Sequence, residues 1–506
     1  MQFQNNAPLK HIVLFGAGKS STFLIEYLVG QLHVYNWKLT VLDADRQAAQ
    51  SKIGVVQNAT AIEWLAENVE NTNAYVKSAD IVISLLPPAL HYQIAVACLE
   101  FNKHLLTASY VDKNLQGISE KVKEKKLLFL CELGLDPGID HMSAMQIIHR
   151  LHNEGAVITS FRSHCGGLVA PESDDNPWRH KISWNPRNIV LAGKSGAHYR
   201  EKNYEKVLLY EELFNPSRTV DVPGTGVLAW YPNRDSLPYI DIYNIDSAEN
   251  FVRTTLRYPE FCFGWKNIVQ LKLTDETPEY NTNGMSLKTF FQHHLHRHGF
   301  SEWIEKQLTA KFIQTKNLLE KLQLLLNAEE DIDEEQMKEL RDFMMVDDNG
   351  KLLDINLEEV KTTAAATVAG QMHEANLAIK QLFYLGMDDD TTIINLGNCS
   401  AADVLRFAIE KKLALKPHDK DLVVMMHEID YEKNNERHAL KSTLVLKGED
   451  GVRTAMAKTV GLPLAIAAKL ILLGKINITG LHIPIIPEIY EPVMKELEEH
   501  GISFSG

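Results

Sequence analysis

HIVLFGAGKSSTF, residues 11–23, runs a strand into a glycine turn and then into a helix. Ile12–Phe15 is a continuous apolar run stopped by glycine, the pattern of a parallel strand covered on both faces. Gly16-Ala17-Gly18 turns the chain. From Lys19 the pattern is helical, with Phe23, Leu24, Tyr27 and Leu28 on one stripe. Such a strand, turn and helix start gather free N–H groups and a positive dipole end, which suits a pyrophosphate. Gly16, Ala17, Gly18, Lys19 and Ser20 are the expected lining. A full dinucleotide fingerprint carries a third glycine, where this chain has Ser21. Gly18-Lys19-Ser20 also matches the end of a P-loop. That motif needs a glycine five residues earlier, and Val13 stands there, so the P-loop is rejected.

The chain has 506 residues, 45% hydrophobic and 23% charged. It is long enough for about two to four globular domains. A net charge of −14 and a pI near 5.8 argue against nucleic acid as a partner. The five cysteines are scattered, with no C-x-x-C pair. Together with an N-terminus lacking signal-peptide character, they lead us to expect a cytoplasmic protein. The most apolar late stretch, Leu462–Leu473, contains Pro463 and Lys469; it reads as a buried helix rather than a membrane segment.

A second apolar strand, Leu39–Leu42, ends on Asp43. A carboxylate there accepts hydrogen bonds from ribose hydroxyls and repels a 2′-phosphate, which points to NAD; Arg46 nearby suits NADP. Gln47–Lys77 reads as helical and polar. Ile81–Leu86, His104–Ser109 and Leu127–Cys131 are further buried strands, alternating with amphipathic stretches. This alternation predicts a doubly wound parallel sheet with ligands at the carboxyl ends of its strands. Those ends carry Gly16, Asp43, Leu86-Pro87, Ser109-Tyr110 and Glu132–Asp136. In Gly134–His141, GLDPGIDH, Asp136 reads as a helix N-cap with Pro137 at the first helical position.

Beyond residue 150 a strand is expected at Ile158–His164, then an irregular loop from Cys165 to Glu172. Arg253–Tyr258 reads as a piece with exposed cations, and residues 288–416 as helical throughout, including Trp303–Leu326 and an acidic stretch Ala328–Glu339. His293, His294, His296 and His298 cluster there, but no acid or cysteine accompanies them at ligand spacing, so no metal is expected. Val423–Ile429 and Lys441–Leu446 read as a hairpin. Helices are expected at Thr459–Leu473 and Pro492–Glu499.

Several of these stretches together resemble the saccharopine dehydrogenase family, in its L-glutamate-forming branch. They are GLDPGIDH at 134–141, CGGLVAPE at 165–172, ISW at 182–184, YPNRDS at 231–236, TLRY at 255–258, TVGLPLAIAAKLIL at 459–472 and the terminal PEIYEPVMKELEEHGI. The resemblance implies an α/β chain: a Rossmann-type parallel-sheet domain plus an α/β substrate domain with a helical insertion, commonly as a homodimer. The expected boundaries are 1–137 for the dinucleotide domain, 138–287 with 420–458 for the substrate domain, 288–419 for the insertion and 459–506 for closing helices.

The implied activity is NAD(P)-dependent cleavage or formation of the secondary amine of saccharopine, giving glutamate and 2-aminoadipate semialdehyde. No nucleic acid or membrane partner is implied. Leu86 and Pro87, at a strand end, are expected at the cofactor, and by this resemblance so are Ser109, Leu135 and Pro137. Ser109, Tyr110, Asp136, Arg234, Thr255, Leu256 and Arg257 lie at the substrate. Asp136, Cys165 and Tyr110 are the candidates for proton transfer. Fungal members use NADP and lack an acid at the place of Asp43, so NAD is expected here with NADP as the alternative. Thr254 also stands where the family has glycine. Two other readings share the motifs: a related C–N-forming reductase such as carboxynorspermidine synthase, and a non-catalytic dinucleotide-binding protein.

Overall fold

The computed structural model describes residues 8–300, 374 and 376–506. Its contacts divide the chain into two units. The first holds Met1–Asp175, Arg179–Cys262 and Leu413–Gly506, and both large sheets lie in it. The second holds Asn176–Trp178 and Phe263–Lys412.

The first sheet is built from β1 (Lys10–Phe15), β2 (Trp37–Asp43), β3 (Ala59–Glu63), β4 (Ile81–Ser84), β5 (His104–Thr107) and β6 (Leu128–Leu130). Its order from one edge is β6-β5-β4-β1-β2-β3, all parallel. The strand order reverses between β1 and β4, where an open α/β sheet presents its ligand crevice. A Cβ on Gly16, which has φ +99°, would lie 2.7 Å from Leu85 O across that gap, so only glycine fits.

Two expectations fail here for one reason: short strands carry little period. Gln47–Lys77 is not all helix; it contains β3, an edge strand whose polar residues face solvent. The closing segment is not all helix either. Gly480–His482 pairs in parallel with β6 and adds the seventh strand.

The second sheet has eight strands. They include β7 (Val157–Val169), β8 (Ala197–Glu201), β9 (Tyr204–Leu208), β10 (Thr219–Val222), β11 (Gly226–Pro232) and β12 (Asn250–Arg257). Asp421–Lys433 and Glu436–Lys447 complete it, giving the order β10-β11-β12-β7 and then these two, with β8 pairing β12 and β9. The last two form the expected hairpin, longer than its alternation suggested. Asn434 and Asn435 turn it at φ 55° and 63°, the left-handed pair of a type I′ turn.

The irregular loop expected from Cys165 is instead, as far as Val169, the end of β7, paired with strand Asp421–Lys433 and, at Cys165, with β12 as well. Its glycines permit close approach rather than turning. A Cβ on Gly166 would lie 2.5 Å from Leu256 O, and one on Gly167 2.5 Å from Met456 Cε.

Helix Ala455–Leu472 is long and apolar enough to cross a membrane, and 78% of it is buried inside the fold. It lies against helix Thr22–Tyr35, where a Cβ on Gly461 would sit 3.0 Å from Leu24 N and 3.1 Å from Ser20 O. The glycine that lets elements close beside the turn is therefore on this helix, not at the Ser21 position.

In the second unit, Pro278–Asn281 and Asn398–Ser400 pair as a small antiparallel ribbon between helices Leu287–Arg297 and Ala401–Lys412. The 288–416 stretch is thus not helical throughout. The expected helix Trp303–Leu326 and the acidic stretch Ala328–Glu339 lie outside the described residues. No group of three or more potential metal ligands occurs among the described residues.

Candidate active site

Gly134–His141 closes on itself at the head of helix Ile139–Asn153. Gly138 has φ +147°, and a Cβ there would lie 2.1 Å from Gly134 O. Gly138, not Asp136, is the residue before the helix, and the Asp136–Pro137 peptide is cis. Asp136 is thus not the cap expected of it, and Asp140, inside the first turn, accepts from the Gly138 N–H by its Oδ1 at 2.6 Å. The Asp136 carboxyl is left to other partners.

Those partners come from β12. Alternation along the strand puts Arg253, Thr255 and Arg257 on one face and Thr254 and Leu256 on the other. Arg253 Nη2 donates to Asp136 Oδ1 at 2.7 Å and to Asp140 Oδ2 at 2.6 Å. Tyr110 OH donates to Asp136 Oδ1 at 3.2 Å. The guanidinium also stacks 4.4 Å over the Tyr239 ring. Arg253 is 4% exposed and Arg257 4% exposed, so the reading of this stretch as exposed cations is corrected. Arg253 is buried because it faces the helix head, whereas Arg257 is buried against the Leu256 and Gly167 carbonyls and the Phe261 ring.

A polar layer backs this cluster. Glu132 Oε2 accepts from Tyr239 OH at 3.1 Å and lies 2.9 Å from His141 Nε2. His141 Nδ1 lies 2.5 Å from Tyr243 OH. Glu132 Oε1 accepts from the Val111 N–H, tying this layer to the chain beyond β5.

Two carboxylates share one guanidinium, and their surroundings separate them. Burial pushes the Asp136 carboxyl up, against the pull of Arg253. Burial acts the same way on Asp140, but His141 and Arg253 together hold it below the ordinary carboxylate range. Asp140 is therefore held on the charged side, facing Arg253, and Asp136 is the more easily protonated of the two.

Cys165 sits on β7 opposite Thr255. Burial, with Asp136 and Asp140 adding to it, holds its thiol well above its usual range. Burial does the same to the Tyr110 phenol. Both stay protonated at neutral pH, so neither is placed to act as a base.

Arg257 has a different character. Its Nη1 donates to Leu256 O at 2.8 Å and to Gly167 O at 3.4 Å, and its Nε meets no acceptor. Among the described residues no carboxylate lies within ion-pair distance of it. Arg234 is exposed, with its guanidinium 5.1 Å over the Tyr110 ring. Leu256 packs with Leu168, Val169 and Val424 on the far face of the sheet, so it is withdrawn from the substrate residues.

The cofactor candidates gather at the crevice of the first sheet. Asp43 Oδ2 accepts from the Ala17 N–H at 2.6 Å, and Oδ1 accepts from the Asp45 N–H at 2.8 Å. Its carboxylate thus faces the glycine turn while anchoring it. A Cβ on Gly18 would meet nothing within 4 Å, so the turn is open on that side. Lys19 Nζ donates to Ile182 O at 3.4 Å, and Ser20 is half-buried on the same turn. Leu86 is half-buried and Pro87 exposed past the end of β4. Leu135 and Pro137 are buried in the helix-head turn.

Ser109, past the end of β5, lies 2.7 Å by its Oγ from His91 Nε2, and His91 Nδ1 lies 2.8 Å from Ser84 Oγ. Burial pushes His91 down to about 4, so a neutral ring pins Ser109. Sequence reading gave no role to His91, Asp140, His141 or Arg253, and placed Glu132 only at a strand end. Only the alternation with Arg257 along one strand face could have flagged Arg253.

A sequence model described as the saccharopine dehydrogenase C-terminal domain matches residues 134–502, and one described as the saccharopine dehydrogenase NADP binding domain matches residues 12–130. The chain belongs to the saccharopine dehydrogenase family. It is 30% identical over 500 residues to the NADP(+), L-glutamate-forming saccharopine dehydrogenase of Pyricularia oryzae, covering 97% of this chain and 98% of that one. It is also 30% identical to the alpha-aminoadipic semialdehyde synthase of Arabidopsis thaliana, with 97% of this chain aligned, but spans only 44% of that longer protein. A solved structure of apo saccharopine dehydrogenase (L-Glu forming) from Saccharomyces cerevisiae covers 98% of this chain and 99% of its own, at 25% identity and a TM-score of 0.74. Family membership agrees with the parallel sheet, the second α/β sheet and the buried cluster at the helix head.

Proposed function

We propose that this chain oxidises the secondary amine of saccharopine with a nicotinamide dinucleotide, releasing glutamate and 2-aminoadipate semialdehyde, and catalyses the reverse condensation and reduction. The observation that carries this reading is Arg257: a buried guanidinium with no carboxylate at ion-pair distance among the described residues, on the strand face that also bears Thr255 and the Asp136-bound Arg253. A buried cation calls for an anion. An amine-linked polycarboxylic amino acid supplies carboxylates in forks that guanidinium groups match.

The residues fit a dinucleotide. Gly16 permits the close turn at the strand crossover, and Gly18 leaves open space beside an N–H that meets no acceptor among the described residues. A dinucleotide held at this turn would supply the hydride acceptor for the carbon next to the amine. The chain supplies the rest. Arg257, with Arg234 and Thr255, holds carboxylates and so fixes that carbon in place. Asp136 takes a proton from the amine or from the water that attacks the substrate imine. Tyr110 and Cys165 donate hydrogen bonds beside it.

For the adenosine end, the Asp43 carboxylate at the mouth of the turn favours ribose hydroxyls over a 2′-phosphate, which supports NAD. The NADP named for the fungal relatives supports the other cofactor, with Arg46 as its partner. Steady-state kinetics with saccharopine, run with NAD and with NADP separately, decides both points. Turnover favouring NAD is expected. Absence of saccharopine turnover with either cofactor overturns the reading. Arg257→Met is expected to raise the KM for saccharopine by ~10²-fold, with the protein still folded.

A further inference from the structure

Lys52 lies in helix Arg46–Ile53, behind the glycine turn and outside every residue so far assigned to the cofactor. Its Nζ donates to Ala17 O at 2.8 Å, to Gly18 O, and to Ser21 Oγ at 3.0 Å. Three acceptors use the three protons of an ammonium. None of them is charged, and among the described residues no carboxylate forms an ion pair with it. Asp43 is the charged group near enough to act on it.

The geometry of a trans peptide makes this grip directional. In each peptide unit the C=O and the following N–H point to opposite sides. Lys52 draws the carbonyls of Ala17 and Gly18 to one side, which turns the N–H groups of Gly18 and Lys19 to the other. The Gly18 N–H meets no acceptor among the described residues, and beside it lies the open space where a Cβ would touch nothing. Successive N–H groups turned to one side make a concave anion nest. Ser21, in place of the usual third glycine, supplies the hydroxyl that completes the ammonium's coordination.

We infer that Lys52 is the positioning residue of the pyrophosphate site: it orients the peptides of the glycine turn and adds a positive charge beneath the dinucleotide's phosphates. This rests on the dinucleotide reading above and adds to it the residue that compensates for the incomplete fingerprint. Burial lowers the Lys52 amine to about 8, while Asp43 acts to raise it. Phosphates arriving on the far side of the turn stabilise the ammonium, so binding takes up a proton as pH rises past that value. Dinucleotide affinity is therefore flat below about pH 8 and falls above it.

The test is the dissociation constant for NADH and for NADPH, measured by fluorescence titration from pH 6.5 to 9.5 on the full chain. Lys52→Met is expected to weaken binding by about tenfold at pH 7 and to abolish the fall in affinity above pH 8. Lys52→Arg retains the charge and two or more of the bonds. It is expected to keep most of the affinity while also losing the pH dependence. Wild-type affinity in Lys52→Met, or an unchanged pH profile in Lys52→Arg, overturns the inference. If the wild-type chain binds neither dinucleotide, the functional reading itself fails, and that outcome is separate. Should Lys52→Met not fold, Lys52→Arg alone still decides through its pH profile.

Discussion

Asp136 and Asp140 meet the same Nη2 of Arg253, yet their surroundings shift the two carboxyls in opposite directions. Because burial raises Asp136, its carboxylate form is lost as pH falls through a value above the ordinary range for aspartate. We expect the wild-type kcat/KM for saccharopine oxidation to fall on the acid side with that limb. Asp136→Asn should lower turnover ~10²–10⁴-fold and remove the limb; an unchanged acid limb in the variant would rule Asp136 out as its source. Arg253→Met leaves two carboxyls in a buried site without their countercharge. A loss of about 3–5 kcal/mol is expected, read as a lower denaturant midpoint at neutral pH. Part of it should return at acid pH, where the carboxyls protonate. At this scale the sequence was legible where chemistry advertises itself, as in GLDPGIDH and the Arg257 stretch. Within those same stretches the burial of Arg253 and Asp140 was illegible, because a charged residue in a strand or first helical turn looks the same whether it faces water or a buried partner.

Among elements, the lesson lies in what each glycine does. The turn glycines of β1 were readable because a sharp strand-to-helix connection needs them. Gly166 and Gly167 were misread as loop formers because nothing local distinguishes a glycine that bends a chain from one that lets a neighbouring strand close in. The two uses predict opposite outcomes. Gly166→Ala drives a methyl group against Leu256 backbone atoms at 2.5 and 3.0 Å. A cost of about 1–3 kcal/mol should appear in thermal unfolding. Gly18→Ala meets no atom within 4 Å and keeps φ −63°, so its Tm should stay at the wild-type value. Its methyl group instead occupies the open side of the turn, so the Kd for the dinucleotide should rise. A Gly18→Ala protein that binds NADH as the wild type does would remove the turn from the cofactor site. The strands β1, β2, β4 and β5 were legible as apolar runs, whereas β3 and Gly480–His482 are too short or too polar to show a period.

In the first unit, residues 480–502 close the parallel sheet and its core. Gly480–His482 lies on the outer side of β6: the Gly480 N–H donates to Leu127 O at 2.7 Å, and the Cys131 N–H donates to His482 O at 2.9 Å. The following helix, Pro487–Glu499, buries Ile489, Tyr490, Val493, Met494 and Leu497, and Ile502 follows them into the same core as β1 and helix Ile139–Asn153. Burying each of these side chains stabilises the fold by roughly 1.5–3 kcal/mol, so together they match the ~5–15 kcal/mol that separates a typical folded domain from its unfolded chain. β6 in turn leads directly into Gly134–Asp140, the turn that places Asp136. Deleting residues 480–506 should therefore leave a chain with an open sheet edge and an uncovered apolar core, recovered in aggregates rather than in solution. If the shortened chain stays soluble, with the wild-type Tm and an unchanged Kd for NADH, the closing strand and helix are dispensable and the path from sheet edge to Asp136 is mechanically irrelevant. A soluble chain that binds NADH but has lost saccharopine turnover would place the contribution of the closing segment at the helix head.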